Sequence, residues 1–340
     1  MSEIEEKESC IGVVTTINHP NDAMNILVDF SNKADTRVVI VGDTKTPLSW
    51  QDLDCEFLTI ETQDRIFPDL AAVTPTRHYA RKNFGYLSAI ELGASWIYET
   101  DDDNFPTADP FTQRDLKITT STFFASTRWL NIYEVFGHEK TLNGPQRLWP
   151  RGFDLKSLGA TITKAKESFV ISPLQQGLAN GDPDVDAIYR LILGNLVNFN
   201  SRGPVSLQHG QISPINSQTT WWHKSIFQLM YLPSTCTFRL TDILRGFIAW
   251  RILLDTDMVI SFFEPIVRQD RNEHDLLKDF KDEIELFYGS NEIVESLLKV
   301  QLKELDYSKA LVACYSVLVT HGVVNMNELT ILAQWNKRFR

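Results

Sequence analysis

Three consecutive aspartates, Asp101, Asp102 and Asp103, follow the run Ser95-Trp-Ile-Tyr98 after Glu99 and Thr100. Like charges this close repel one another unless something cationic sits among them. Hard carboxylate oxygens suit Mg²⁺ or Mn²⁺, which proteins hold through one or two carboxylates while a substrate's phosphates supply further ligands. Alternation along a strand predicts that Asp101 and Asp103 share one ion while Asp102 faces elsewhere. A solvated acidic loop after a core strand is the plain alternative.

Other residues fit the same chemistry by position. Thr15 and Thr16 close one apolar run and Asp43 another, and in a doubly wound sheet all three approach the edge that carries the aspartates. Asp43 can accept hydrogen bonds from a nucleobase or ribose, or serve as a turn residue. Arg77, His78, Arg81 and Lys82 cluster before the acidic strand, and basic groups at a helix start are unfavourable without an anion to hold; Arg81 and Lys82 are therefore candidates for a diphosphate. Asp242 opens an apolar helix, where capping and general-base roles both suit it. His274, in Asn272-Glu-His-Asp275, is a candidate further metal ligand. Gln175, Gln176 and the stretch Asp182–Asp186, which follow a short strand expected at Phe169–Ile171, could meet sugar hydroxyls or make turns. Trp149, Trp221 and Trp222 could stack on a sugar or simply pack.

These residues need a scaffold. Ile11–Ile17 and Arg37–Asp43 read as buried strands around a helix at 23–30 that Asn21 or Asp22 caps. A third strand is expected at Glu56–Ile60 and a longer helix from Arg77 to Leu92, stopped by Gly93. The alternation predicts an α/β fold: a Rossmann-type mixed sheet flanked by helices, with ligands beyond the carboxyl ends of the strands. Residues 104–214 read as irregular strands and loops forming an acceptor surface, 237–254 as helix, and 279–335 as a C-terminal helical segment. The expected division is a disordered 1–10, a main domain 11–278 (nucleotide half 11–103, acceptor half 104–278) and the segment 279–340.

Composition narrows the partners. Lysine and arginine number 33 against 44 aspartates and glutamates, a net charge of −11, which disfavours nucleic acid and anionic lipid. The scattered Cys10, Cys55, Cys236 and Cys314 read as reduced thiols in a cytoplasmic setting. Neither a signal peptide nor a membrane span is expected from the polar N-terminus and the short apolar runs. The C-terminal helices leave room for a homodimer.

Strand–Asp-Asp-Asp after a βαβ opening resembles the DxD motif of GT-A glycosyltransferases. Leu148-Trp-Pro-Arg-Gly-Phe153, Gln175-Gln-Gly-Leu178 with Asp182–Arg190, and Thr241-Asp-Ile-Leu-Arg-Gly-Phe247 together resemble the STELLO-like glycosyltransferases, over roughly Ile11–Asp279. The resemblance implies a GT-A-like fold and a nucleoside diphosphate sugar as donor, with a glycan or small hydroxyl compound as acceptor. It further implies metal at Asp101 and Asp103 and nucleotide contact at Asp102. A base or acceptor-binding role at Asp242 follows from exostosin-like enzymes. Arg151-Gly-Phe-Asp-Leu155 and the Asp182–Ala187 stretch also resemble the reversibly glycosylated, sugar-nucleotide mutase family, which implies a phosphate-binding or glycosyl-accepting Arg151. A mutase using Arg151, or a non-catalytic glycan-binding scaffold, are thus the alternatives to sugar transfer.

Overall fold

In the computed structural model, residues 8–139, 147–270 and 275–339 are described. The chain opens β1 (Cys10–Thr15), α1 (Asp22–Lys33), β2 (Val38–Val41), β3 (Glu56–Leu58), α2 (Ile60–Ile66), α3 (Pro68–Ala71), α4 (Lys82–Glu91) and β4 (Trp96–Asp101). Strict alternation places Val13, Val39, Val41 and Ile97 in one core and Val14, Val38, Ile40, Trp96 and Tyr98 in another. These parallel strands are therefore buried on both faces, which their β-branched, apolar sequences allow. Asn21 caps α1 by accepting from the Met24 amide at 3.0 Å.

The chain continues through β5 (Asn104–Pro106), β6 (Lys117–Ala125), α5 (Ile132–Phe136), β7 (Ile162–Gly181), α6 (Ala187–Ile192), β8 (Val205–Leu207), β9 (Thr219–His223), α7 (Thr241–Leu253) and β10 (Met258–Gln269). The sheet runs β3-β2-β1-β4-β9-β7-β6-β8-β10-β5, with β7 also pairing β10. β3, β2, β1 and β4 are parallel, and antiparallel β9 joins them to the second half. The 20-residue β7 pairs β6 along its first half, and along its second half lies between β9 and β10. The short strand expected around Phe169–Ile171 is the middle of this long one.

Two local features carry β4 to its place. Gly85 lets α4 lie directly on the sheet, because a Cβ there would meet Val41 Cγ2 at 2.5 Å and Val13 Cγ1 at 2.6 Å. Gly93, at φ +84°, then turns the chain back into β4, a conformation that glycine adopts at no steric cost.

α7 is buried along all 13 of its residues. A helix buried on every side needs cover from other elements; of the C-terminal helices α8 (Leu276–Asp282), α9 (Ile284–Leu298), α10 (Tyr307–Thr320) and α11 (Asn327–Asn336), α9 and α10 pack against it, with α8 against α9 and α11 against α10. Leu297, Leu311, Tyr315 and Trp335 share one core with Phe247 and Ile248, so the C-terminal helices are continuous with the rest rather than an appended segment. At the other end, Ser9 O accepts from the Ser95 and Trp96 amides and Glu8 accepts from Trp96 Nε1, so residues 8–10 belong to the fold; the remainder of the expected disordered terminus lies outside the described residues.

Charges inside this core are paired. Arg245 on α7 meets both Glu99 oxygens at 2.7 and 2.9 Å, and Trp222 Nε1 and Tyr86 Oη donate to the same carboxylate. Asp186 caps α6 through the Tyr189 amide and accepts from Trp149 Nε1, at 2.8 and 2.6 Å.

Removing one partner of a buried ion pair leaves a bare charge, so Glu99→Gln is expected to cost about 3–5 kcal/mol in urea denaturation, with Glu99→Leu/Arg245→Met recovering most of it. Burial raises Asp186 from 3.8 to about 6. Its acid form is the one the fold favours, so the stability it contributes is complete below the unfolded value and is lost as pH rises through about 6. Relative to Asp186→Asn, the parent chain should lose roughly 2–3 kcal/mol between pH 4 and pH 7, read from denaturation curves at each pH.

Candidate functional site

A cavity of about 550 Å³ opens beyond the carboxyl ends of β1, β2 and β4 and is closed on its far side by the start of α7 and the end of β10. β4 ends at Asp101, and Asp102–Asp103 form a turn into β5. Strand alternation therefore stops at Asp101, and the expected split of Asp101 with Asp103 against Asp102 does not hold. All three aspartates line the cavity, each tied to a different element.

Asp101 Oδ1 accepts from Tyr79 Oη at 2.6 Å and from Lys82 Nζ at 3.1 Å. Asp102 Oδ2 accepts from Thr16 Oγ1 and, at 2.9 Å, from Asn18 Nδ2, while its carbonyl takes Asn21 Nδ2 at 2.8 Å. Asp103 Oδ2 accepts from Gln269 Nε2 at 3.1 Å. Burial pushes the Asp101 carboxyl above the usual range, against the opposing pull of Lys82. Among the described residues, no group of three or more metal-ligating side chains converges into a ready-made metal cage. Asp101 Oδ2 and Asp102 Oδ1, however, carry no hydrogen bond within the described residues. That donor set fits a Mg²⁺- or Mn²⁺-type ion completed by phosphate oxygens and water. His274 lies outside the described residues.

The basic cluster divides in two. Arg77 takes φ +56°, which ends the helix expected from that residue. His78 caps the following 3₁₀ turn, Tyr79–Arg81, by accepting from the Ala80 amide, and α4 starts only at Lys82. Arg81 is buried at the cavity wall, donating Nε to Gln63 Oε1 at 2.7 Å and stacking on Phe84 at 4.6 Å. Lys82 is fully buried, its Nζ shared among Thr100 O, Tyr79 Oη and Asp101. Lys82 thus neutralises Asp101 from beneath instead of reaching into the cavity to a diphosphate. The exposed cations that line the cavity are Arg77 and Lys45. Asp43 fixes this rim: its Oδ1 accepts from the Thr44 amide at 2.6 Å and its Oδ2 from the His78 amide at 3.2 Å. Thr15 also lines the cavity, its buried Oγ1 without a hydrogen-bond partner among the described residues.

The opposite wall is built around Arg151. All five of its N–H donors are engaged: Nε and Nη2 on Asp184 at 2.8 Å each, Nη1 and Nη2 on Asp242 at 3.1 and 2.9 Å, and Nη1 on Arg239 O. The two carboxylates hold this guanidinium charged, with its pKa raised further despite burial. It has no nitrogen left for a phosphate and no nucleophilic lone pair for a sugar, which removes the residue on which the mutase alternative rests. Asp242 is not the helix cap, since that position is Leu240. Its Oδ1 accepts from Arg151 and the Ile243 amide, its Oδ2 from Arg151 and from Ser217 N and Oγ. The Ser217 hydroxyl is the looser of these at 3.3 Å, and it also lies 2.6 Å from Tyr79 Oη.

Several expected contacts lie elsewhere. Trp221 and Trp222 are fully buried and Trp149 nearly so, so none offers a ring face to a ligand. Gln175 and Gln176 are internal members of β7, bonded to Arg114 and Asn216. Of the acidic stretch, Asp184 reaches the cavity while Asp186 caps α6. Asn18, Lys45, Tyr79, Ser217, Phe238 and Arg239 line the cavity without having been singled out as site residues by sequence; Tyr79 lay inside the basic cluster, Asn18 and Lys45 two residues past Thr16 and Asp43, and Arg239 three residues before Asp242.

Fold and site thus define a mixed α/β chain with an acid-rich cavity at the carboxyl edge of its parallel strands. Residues 239–335 match the family described as STELLO glycosyltransferases. Two Arabidopsis thaliana proteins, "Probable glycosyltransferase STELLO2" and "Probable glycosyltransferase STELLO1", are 25% and 24% identical to it over 95% of this chain. The similarity to these relatives runs along nearly the whole chain, C-terminal helices included, whereas the sequence motifs placed the end of the resemblance near Asp279. It spans 43% of the length of those relatives. A solved structure, M. tuberculosis glucosyl-3-phosphoglycerate synthase, aligns at a TM-score of 0.40 and 9% identity, over 86% of this chain and 82% of that one. Among the described residues, no helix is long and apolar enough to cross a membrane.

The division of the cations is directly measurable. Arg77→Ala and Lys45→Ala, at exposed positions, should leave unfolding free energy within about 0.5 kcal/mol of the parent. Arg81→Ala and Lys82→Met, which strip buried partners, should each lose roughly 2–4 kcal/mol in the same urea titration.

Proposed function

We propose that this chain is a metal-dependent glycosyltransferase domain that moves a sugar from a nucleoside diphosphate sugar to a hydroxyl acceptor. The observation that carries the reading is the single cavity in which the Asp101–Asp103 turn, the exposed cations Arg77 and Lys45, and the Arg151–Asp184–Asp242 wall face one another. The STELLO likeness supports the same class of activity. Asp43, Thr15 and Thr16 sit where a nucleoside would lie beyond β1 and β2. Asp101, Asp102 and Asp103 would hold Mn²⁺ or Mg²⁺, whose chemistry there is to neutralise charge building on the departing diphosphate. Arg77 and Lys45 would add donors to the same phosphates.

In the transfer, an acceptor oxygen forms the new bond to the anomeric carbon as the bond to the diphosphate oxygen breaks, and the acceptor hydroxyl gives up its proton. Asp242 is the proposed receiver of that proton. Its carboxylate is saturated as it stands, so an acceptor hydroxyl would take the place of Ser217 Oγ at Oδ2, the longest of its hydrogen bonds. The free thiols of Cys10, Cys55, Cys236 and Cys314 support a reducing, cytoplasmic-type setting.

Calorimetric titration of uridine, guanosine, adenosine and cytidine diphosphates, each with Mn²⁺ and with a chelator, tests the reading. One nucleotide should bind only with the metal, and Asp101→Ala or Asp103→Ala should weaken it at least tenfold, an amount equal to about 1.4 kcal/mol; Asp101→Ala also strips the buried Lys82 of its counter-charge and should lower the melting temperature, so binding is read well below it. Metal-independent binding, or full affinity in both variants, would remove the metal site; binding of no nucleotide would leave the non-catalytic scaffold.

A further inference from the structure

The cavity holds an aromatic face that no sequence motif marked. Phe238 lines it and is 50% exposed. An exposed aromatic ring inside a polar cavity forfeits apolar burial unless something apolar covers it. The ring is also held in place. Tyr79 meets it edge-on, with centroids 5.2 Å apart and planes at 84°. Its chain neighbours are anchored on both sides: Thr237 Oγ1 donates to Asp282 O at 2.7 Å, and Arg239 Nε donates to Glu283 Oε1 at 2.7 Å. A ring fixed this way loses little entropy on meeting a ligand.

We propose that Phe238 is the platform of the acceptor subsite and takes the apolar face of a pyranose ring. This rests on the reading of the cavity as a site of sugar transfer. A pyranose is amphipathic: one face is a patch of C–H groups, and its edge is a ring of hydroxyls. Phe238 supplies an apolar plane, and the groups around it supply partners for hydroxyls. Through Tyr79 the ring connects to Asp101 and Ser217, and through Arg239 O to Arg151 and Asp242. Trp149, Trp221 and Trp222 are buried, which leaves Phe238 and its edge-on partner Tyr79 as the aromatic rings that line the cavity among the described residues. The ring also precedes α7 directly, on the wall that carries Asp242, the proposed receiver of the acceptor's proton. The acceptor's sugar, rather than the donor's nucleoside, is the part that meets it.

Saturation-transfer NMR with methyl glucosides, galactosides and mannosides tests this, run on the full chain with Mn²⁺ and the nucleoside diphosphate that binds best. The expected result is saturation of the C–H protons of at least one pyranoside, weakened roughly five- to tenfold in Phe238→Ala and retained in Phe238→Trp, as loss and restoration of an aromatic contact predict. The affinity for the nucleoside diphosphate should stay within twofold of the parent in both variants. Unchanged pyranoside binding in Phe238→Ala overturns the proposal. So does a selective loss of sugar-nucleotide affinity relative to the bare diphosphate, which would place the donor's sugar on the ring. A parent chain that binds nucleotide but no pyranoside overturns the platform alone, whereas one that binds neither removes the transfer reading with it.

Discussion

The site depends on one buried guanidinium. Arg151 is 4% exposed and donates every N–H it has, to Asp184, Asp242 and the Arg239 carbonyl. Desolvating a cation and two carboxylates is expensive, and only near-complete hydrogen bonding makes it tolerable. The arrangement welds three distant pieces of chain: the turn at 150–153, the segment after β7, and the first turn of α7. Arg239–Glu283 extends it into the C-terminal helices and Arg245–Glu99 extends it into β4. Because each pair shares a wall with the next, loss of one partner leaves a bare charge that its neighbours cannot reach. The acceptor-side wall is rigid for that reason.

The donor-side rim is held by weaker means. Asp43 bonds two backbone amides, His78 Nε2 lies 3.2 Å from Cys236 O, and Arg77 stands in the left-handed region where a non-glycine residue is strained. No buried ion pair of the described residues anchors Arg77 or Lys45. Local opening draws on such segments, with few buried contacts and exposed backbone. One wall is therefore built to hold its shape and the other to adjust, which suits the proposed transfer, in which a long charged donor enters and a reacting pair is held in place.

Much of this was legible in the sequence, and the failures have physical causes. The apolar β-branched runs identified β1, β2 and β4, and the aspartates fell at a strand end because a charged triplet cannot continue a strand buried on both faces. The burial of Arg81 and Lys82 was hidden because helical spacing was assumed from Arg77, and a single positive φ there resets the register. β7 was read as three residues because its first half, Thr163 to Ser168, is polar and largely exposed and carries no burial pattern. For the tryptophans the packing alternative is the one the structure shows: alternation points Trp221 and Trp222 to opposite faces, and both faces of β9 are covered. Phe238 could not be recognised, since an exposed aromatic and a core one look alike in a single sequence.

The aspartate turn shows how the two walls meet. Three adjacent carboxylates would repel strongly if they converged on one point in a low-dielectric cavity. They diverge instead: Asp101 toward Lys82 and Tyr79, Asp102 toward Thr16 and Asn18, Asp103 toward Gln269. Only Lys82 among those partners carries charge, so most of the stabilisation is dipolar and the turn keeps a surplus of negative charge facing the cavity. The hydroxyl and amide partners come from just past β1, from the turn before α4 and from the end of β10, so three separate elements share that surplus. A dication bridging to phosphate oxygens would meet carboxylates spread across the mouth of the cavity and already oriented, so the reorganisation on binding falls on the ligand and on the Arg77 rim. The fold's rigidity is thus concentrated where charge is buried, and its remaining electrostatic strain is left where a charged substrate can relieve it.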